Sequence, residues 1–191
     1  MPPFFAFLCG GPGGGLDECR DHPSWSDYPA DRLWGAVWVP LWVGDGGFMT
    51  LLMRRSTSLR RHPGQISFPG GARDPLDPGP VDTAMREAME EVSPGGRWEP
   101  LGLMRPQRAL SSGFSVVPVV FVSPDRAPYF SPSSPEVDIL SPVKVPPKGE
   151  FAPRPDGEFQ LPVPPLGTVW GMTARVLMDL AKLVGELSWP F

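Results

Sequence analysis

The chain has 191 residues, enough for one substantial core, and its 41% hydrophobic content suits a globular domain. A formal net charge of −4 argues against nucleic-acid binding driven by bulk electrostatics. Two cysteines, Cys9 and Cys19, make no disulfide framework and read as free thiols in a reducing cytosol, so a cytoplasmic location is expected.

Residues 1–30 read as an irregular N-terminal extension, and residues 31–191 as the folded domain. No lysine or arginine precedes the apolar run 4–8, which is too short for a signal-peptide core, so no targeting segment is expected. No later stretch reaches ~18 uninterrupted apolar residues, so no membrane partner is expected. The extension reads as surface-draped and dispensable for chemistry, with a homodimer contact as the alternative. Residues 34–43 read as a strand interrupted by Pro40, Asp45, Gly46 and Gly47 as a hairpin turn, and residues 48–54 as the partner strand. Arg54, Arg55, Arg60, Arg61 and His62 then put positive charge into an acidic chain. This is either a solvated face or the contact surface of a multiply phosphorylated substrate.

A short strand-like run, 66–68, leads into Pro69, Gly70 and Gly71, where glycines let the backbone approach a ligand or metal closely. From Val81 the apolar residues Val81, Ala84, Met85, Ala88 and Val92 recur at helical spacing. Glu87, Glu90 and Glu91 fall opposite them, within roughly a quarter turn at about 100° per residue. Carboxylates on a polar helix face are commonly just solvated, with Arg86 pairing Glu90 at i, i+4. Facing a Gly-rich turn, they instead suggest a hard-cation site for magnesium or manganese, and the local lack of cysteine and histidine disfavours zinc.

Beyond the helix, residues 98–104 and 114–122 read as strands, the second nearly all apolar and therefore central, with 110–113 as loop between them. Proline recurs through residues 123–165, with strands expected at 143–145 and 159–163. Thr168 is expected to cap a closing helix whose stripe includes Val169, Val176, Leu177, Leu180, Val184 and Leu187. The 28 prolines and 22 glycines predict much irregular chain between these elements.

Gly71, five residues, Asp77, eight residues, then Arg86, Glu87, Ala88, Met89, Glu90 and Glu91 resemble the Nudix box, the signature of diphosphate hydrolases. The longer spacing and the aspartate are typical of the coenzyme A pyrophosphatase-like branch. That branch's upstream signature is matched by Leu51, Leu52, Met53, Arg54, Arg55, Ser56, Leu59, His62, Gly64, Gln65, Phe68, Pro69, Gly70 and Gly71. Ser93 and Pro94 depart from the closing glycine and aliphatic residue, which touches the helix exit and leaves the acidic residues in place. Residues 170–174 also resemble the branch's closing helix, so the resemblance covers about 33–187.

The resemblance implies an α/β class protein with the Nudix fold, an α/β/α sandwich around a mixed β-sheet whose box forms a loop, helix and loop. It further implies hydrolysis of coenzyme A or its thioesters to a 3',5'-ADP portion and a 4'-phosphopantetheine portion. Mg2+ or Mn2+ would be held by Glu87, Glu90, Glu91 and the Gly71 carbonyl. Arg86 would orient the carboxylates and Asp77 support the loop; Arg54, Arg55, Arg60, His62, Gln65 and Gly70 would contact substrate. Glu136 resembles the glutamate of a recurring family Glu-Val pair, as a catalytic base or further ligand, against an ordinary exposed loop acid. Fold and box alone do not fix substrate, so another nucleoside diphosphate derivative stays open. A non-catalytic binding module is the third reading, and the intact glutamates argue against it.

Overall fold

A computed structural model describes residues 17–18, 23–108 and 113–186. Cys9, Cys19, the apolar run 4–8, most of the expected 110–113 loop and Leu187 lie outside the described residues. In chain order the elements are β1 (Asp17–Glu18), a 3-10 turn (Trp25–Asp27), β2 (Trp34–Gly44), β3 (Gly47–Arg55), β4 (Ile66–Ser67) and β5 (Gly70–Ala72). Then follow α1 (Pro80–Glu91), β6 (Glu99–Leu103), β7 (Gln107–Arg108), β8 (Ser115–Val122) and β9 (Val137–Lys144). A second 3-10 turn (Lys148–Glu150) leads to β10 (Ala152–Pro153), β11 (Phe159–Val163), β12 (Gly167–Trp170) and α2 (Gly171–Glu186).

Among the described residues nine strands form one sheet, ordered β1-β6-β8-β2-β3-β4, with β5 beside β2, β7 beside β8 and β9 beside β3. The pairing of β2 with β8 is parallel and the others antiparallel, so the sheet is mixed. Alternation along β2 explains the layers, because successive side chains leave opposite faces. Ala36, Trp38 and Trp42 share one cluster with Val117 and Val119 of β8 and with Val81, Ala84, Ala88 and Val92. Val39 and Leu41 pack on the other face with Val120, Val122 and the α2 residues Ala174, Leu177 and Leu180. The result is the expected α/β/α sandwich, with α1 and α2 on opposite faces of the sheet.

Three local expectations change. Pro40 does not interrupt its strand. The Trp34 carbonyl and Trp38 N–H point toward β5, whereas the Leu33 and Leu41 carbonyls point toward β8. Pro40, with the parity of Trp38, therefore lacks its N–H in the gap between the β5 register, which ends at Val37, and the β3 register, which begins at Trp42. Its carbonyl there accepts the Thr50 hydroxyl at 2.7 Å. Thr168 caps no helix: it pairs with Pro162 inside β12, and α2 starts at Gly171. The strand expected at 143–145 begins earlier, at Val137, because it zips along nearly all of β3.

The described residues of the N-terminal segment, 17–18 and 23–30, also differ from an irregular drape. Asp17 and Glu18 pair with Leu103 and Gly102. Trp25 is 1% exposed and shares a buried cluster with Trp34, Val81 and Ala84. A boundary at residue 31 therefore cuts through packed core. Ser24 explains the turn, since its hydroxyl accepts the Ser26 N–H while the Asp27 carboxylate accepts the Ser24 N–H.

Candidate active site

The box begins where β5 lies tightly against β2. A Cβ at Gly70 would fall 2.7 Å from the Val37 Cα, and Gly70 has φ +153, so only glycine fits this approach. A Cβ at Gly71 would stand within 2.7 Å of both Glu87 carboxylate oxygens. The turn thus lies directly against α1. The Gly71 carbonyl oxygen lies toward Gly35 of β2.

Pro80 at the first turn and the Asp82 carboxylate, which accepts the Gly79 N–H at 3.1 Å, start the helix that presents the acids. Glu91 is 5% exposed, not solvated as its place on the polar arc suggests. One of its oxygens accepts the Gly70 N–H at 2.8 Å and the other lies 3.7 Å from Arg55 Nη1. Burial pushes its carboxyl up to about 7, against the opposing Gly70 hydrogen bond and with reinforcement from Glu87. Glu87 is also pushed up, first by burial, with Arg86 opposing. Glu90 differs, its side chain being 58% exposed at the rim.

Arg86 lies at the centre of the acids. Its Nε and Nη2 clamp Asp77 at 3.1 and 3.0 Å, Nη1 donates to Glu87 at 2.9 Å and to Glu90 at 3.3 Å, and Nη2 also reaches the Ala72 carbonyl at 3.1 Å. This two-pronged pairing holds the guanidinium in one plane and keeps it protonated. Burial acts to raise Asp77, yet hydrogen bonds from Arg86, the Asp74 N–H and Thr83 hold it below the usual carboxylate range. Asp77 faces the loop and Arg86, apart from the three glutamates.

The basic segment is split. Adjacent strand residues leave opposite faces. Arg55 follows Met53 onto the α1 side, where Nη2 donates to Glu136 at 2.8 Å. Arg54 turns the other way and pairs with Asp138 at 2.7 Å. A bulge between Arg54 and Arg55 in the pairing with β9 brings both partners into place. Arg60 and His62 are exposed on the 56–65 loop, where the His62 carbonyl accepts the Gln65 N–H. Glu136, 47% exposed, is joined to Glu91 through Arg55. The structure therefore brings together Gly70, Gly71, Arg55, Arg86, Glu87, Glu91 and Glu136, with Glu90 at the edge, while Arg54 turns to the opposite face and Arg60 and His62 lie on the exposed loop.

The donor set fits a hard divalent cation, being carboxylate and carbonyl oxygen throughout, with two of the carboxylates held in a desolvated setting. Among the described residues no three acidic, histidine or cysteine side chains converge on one point. Thr83 and Trp25, whose indole N–H donates to the Thr83 hydroxyl, were not anticipated as site residues. The only sequence signal was the Ser24 to Asp27 spacing of a capped turn.

Comparison with known proteins agrees with this architecture. A Nudix hydrolase NudL of Cronobacter sakazakii, described as uncharacterized, is 35% identical over 145 residues, covering 71% of this chain and 75% of that protein. A NudL of Yersinia enterocolitica, described likewise, is 48% identical over 104 residues, covering 54% of this chain and about half (52%) of the relative's length. Crystal structures of the M. smegmatis Nudix hydrolase RenU and of a MutT/nudix family protein from Enterococcus faecalis share the fold. The first has a TM-score of 0.57 at 18% identity over 84% of this chain and 90% of the other. The second has a TM-score of 0.53 at 14% identity over 87% and 66%. A model of the NUDIX domain matches residues 32–162, more than half of the chain and all of the box, so this chain belongs to the Nudix family.

Proposed function

We propose that the chain is a metal-dependent diphosphate hydrolase, and that its substrate is coenzyme A or an acyl-coenzyme A. The observation that carries this reading is the seating of Glu87 and Glu91 against the Gly70-Gly71 turn, with Arg86 fixed between Asp77 and the acids. Magnesium or manganese held by Glu87, Glu90, Glu91 and the Gly71 carbonyl would supply Lewis acidity and a more acidic water at neutral pH. Arg86 orients Glu87 and Glu90 and offsets their repulsion. Glu136 and the box glutamates are the candidate bases, taking a proton from water as it attacks phosphorus and the P–O–P bond breaks. Arg55 keeps Glu91 and Glu136 in one arrangement.

Gly70 and the loop carrying Arg60, His62 and Gln65 are the elements assigned to substrate. A second reading, another nucleoside diphosphate derivative, is favoured by the pairing of Arg54 and Arg55 with Asp138 and Glu136, which leaves fewer guanidinium groups for a 3'-phosphate. A panel of diphosphates incubated with magnesium or manganese, with products identified by mass, tests both. Release of 3',5'-ADP from coenzyme A in preference to cleavage of plain nucleoside diphosphate derivatives supports the first reading, and the reverse preference supports the second. The cytoplasmic assignment is likewise a proposal; no helix among the described residues is long and apolar enough to cross a membrane.

A further inference from the structure

We infer that Trp25, which precedes the matched family region, is a positioning residue for the box, acting through Thr83 and Asp77 on Arg86; this rests on the proposed hydrolase function. The indole is buried, and its Nε1–H donates to Thr83 Oγ1 at 3.1 Å. An indole can only donate, so it occupies a lone pair of the hydroxyl and leaves the hydroxyl proton for an acceptor. Two acceptors are in reach, Asp77 Oδ2 at 2.7 Å and the Gly79 carbonyl at 3.3 Å, and the nearer is the charged one. Asp77 in turn clamps Arg86, whose remaining nitrogen reaches Glu87 and Glu90. Four side chains thus link the N-terminal segment to the helix carboxylates by an unbroken set of hydrogen bonds.

The backbone reinforces the link. The Trp25 N–H and the Ser24 hydroxyl both donate to the Pro78 carbonyl, at 3.0 and 3.2 Å. Gly79 lies so close to the Pro23 carbonyl that no Cβ fits there. Arg73 stands 5.7 Å above the indole ring. The segment from Pro23 to Tyr28 therefore holds both ends of the loop that carries Asp77.

Simple packing would require the ring alone, whereas positioning requires the N–H and the hydroxyl. Trp25→Phe keeps an aromatic ring without the donor, Thr83→Val keeps the shape without the hydroxyl, and Thr83→Ser keeps the hydroxyl. The full chain of each variant is titrated with Mn2+ by electron paramagnetic resonance, and kcat and KM are measured on the cleaved diphosphate. Outer partners of metal ligands commonly change affinity by ~10- to 100-fold, so this more remote link is expected to weaken Mn2+ binding by about threefold or more. The fall should appear in kcat with KM little changed, the double variant should lose less than the product of the singles, and Thr83→Ser should recover most of what Thr83→Val loses. Folded Trp25→Phe and Thr83→Val that bind Mn2+ and turn over like wild type would overturn the inference. Should Trp25→Phe fail to fold, Thr83→Val and its rescue by serine decide alone. An active wild type with unaffected variants removes only this inference. A wild type that neither binds Mn2+ nor cleaves any diphosphate removes the functional reading with it.

Discussion

Glu91 accepts the Gly70 N–H at 2.8 Å, which ties the last turn of α1 to the tight β5 turn. Glu91→Gln keeps an acceptor for that N–H and removes a charge that burial disfavours, so the fold is expected to survive. Activity is not: with saturating magnesium or manganese, Glu91→Gln and Glu90→Gln should each lower kcat by about a hundredfold or more. Thermal melts and steady-state rates of the two variants check both halves. Near wild-type turnover in both would remove the box from the mechanism.

Truncation to residue 31 tests the N-terminal segment. Losing Trp25 opens a space beside Trp34, Val81 and Ala84 and leaves Thr83 without its donor. Removing a large buried aromatic costs about 3–5 kcal/mol. The truncated chain is therefore expected to melt well below the full one, in contrast to the dispensable tail read from sequence. Equal melting temperatures would show that the domain core begins after Tyr28.

What could be read from sequence was whatever follows a local period. The stripe of Val81, Ala84 and Ala88 and the opposed glutamates emerged from 3.6-residue spacing, and α1 starts within one residue of expectation. The burial of Glu91 was hidden, because a helical wheel does not show that β5 closes over one edge of the polar arc. Arg54 and Arg55 read as one basic cluster, yet their partners Asp138 and Glu136 lie more than 80 residues away in sequence, and strand alternation separates the pair. Ser93, where the resembled signature has glycine, has a positive φ of +38, with its hydroxyl donating to the Met89 carbonyl at 3.2 Å. The helix exit thus has a left-handed residue without a glycine.

The two turn glycines should fail in different ways. A Cβ at Gly70 meets backbone of β2, which cannot yield, so Gly70→Ala is expected to destabilise the fold. At Gly71 the atoms it meets first are those of the Glu87 carboxylate, which can swing aside, so Gly71→Ala should keep most of its melting temperature while losing kcat. Melting temperature and kcat measured on both variants separate the cases. Equal melting losses would mean that the β5 backbone is tight throughout.

Substrate discrimination should follow the exposed Arg60 and His62 of the 56–65 loop more than the strand arginines. Arg54 already donates twice to Asp138, and Arg55 is joined to Glu136 and Glu91. Coenzyme A carries a 3'-phosphate that its 3'-dephospho form lacks, and exposed guanidinium and imidazole N–H donors suit it. Arg60→Ala and His62→Ala are therefore expected to reduce the kcat/KM preference for coenzyme A by about 1–3 kcal/mol wherever a contact is made. Arg54→Ala should change the ratio little, since its exposed pair with Asp138 contributes at most about 1 kcal/mol to stability and occupies the guanidinium. Arg55→Ala should lower kcat on both substrates alike, because it loosens Glu91 and Glu136 without reading the 3'-phosphate. The measurement is the ratio of kcat/KM for the two substrates across the four variants. A ratio unmoved by Arg60→Ala and His62→Ala would return that loop to a solvated face and leave the 3'-phosphate unread by this segment.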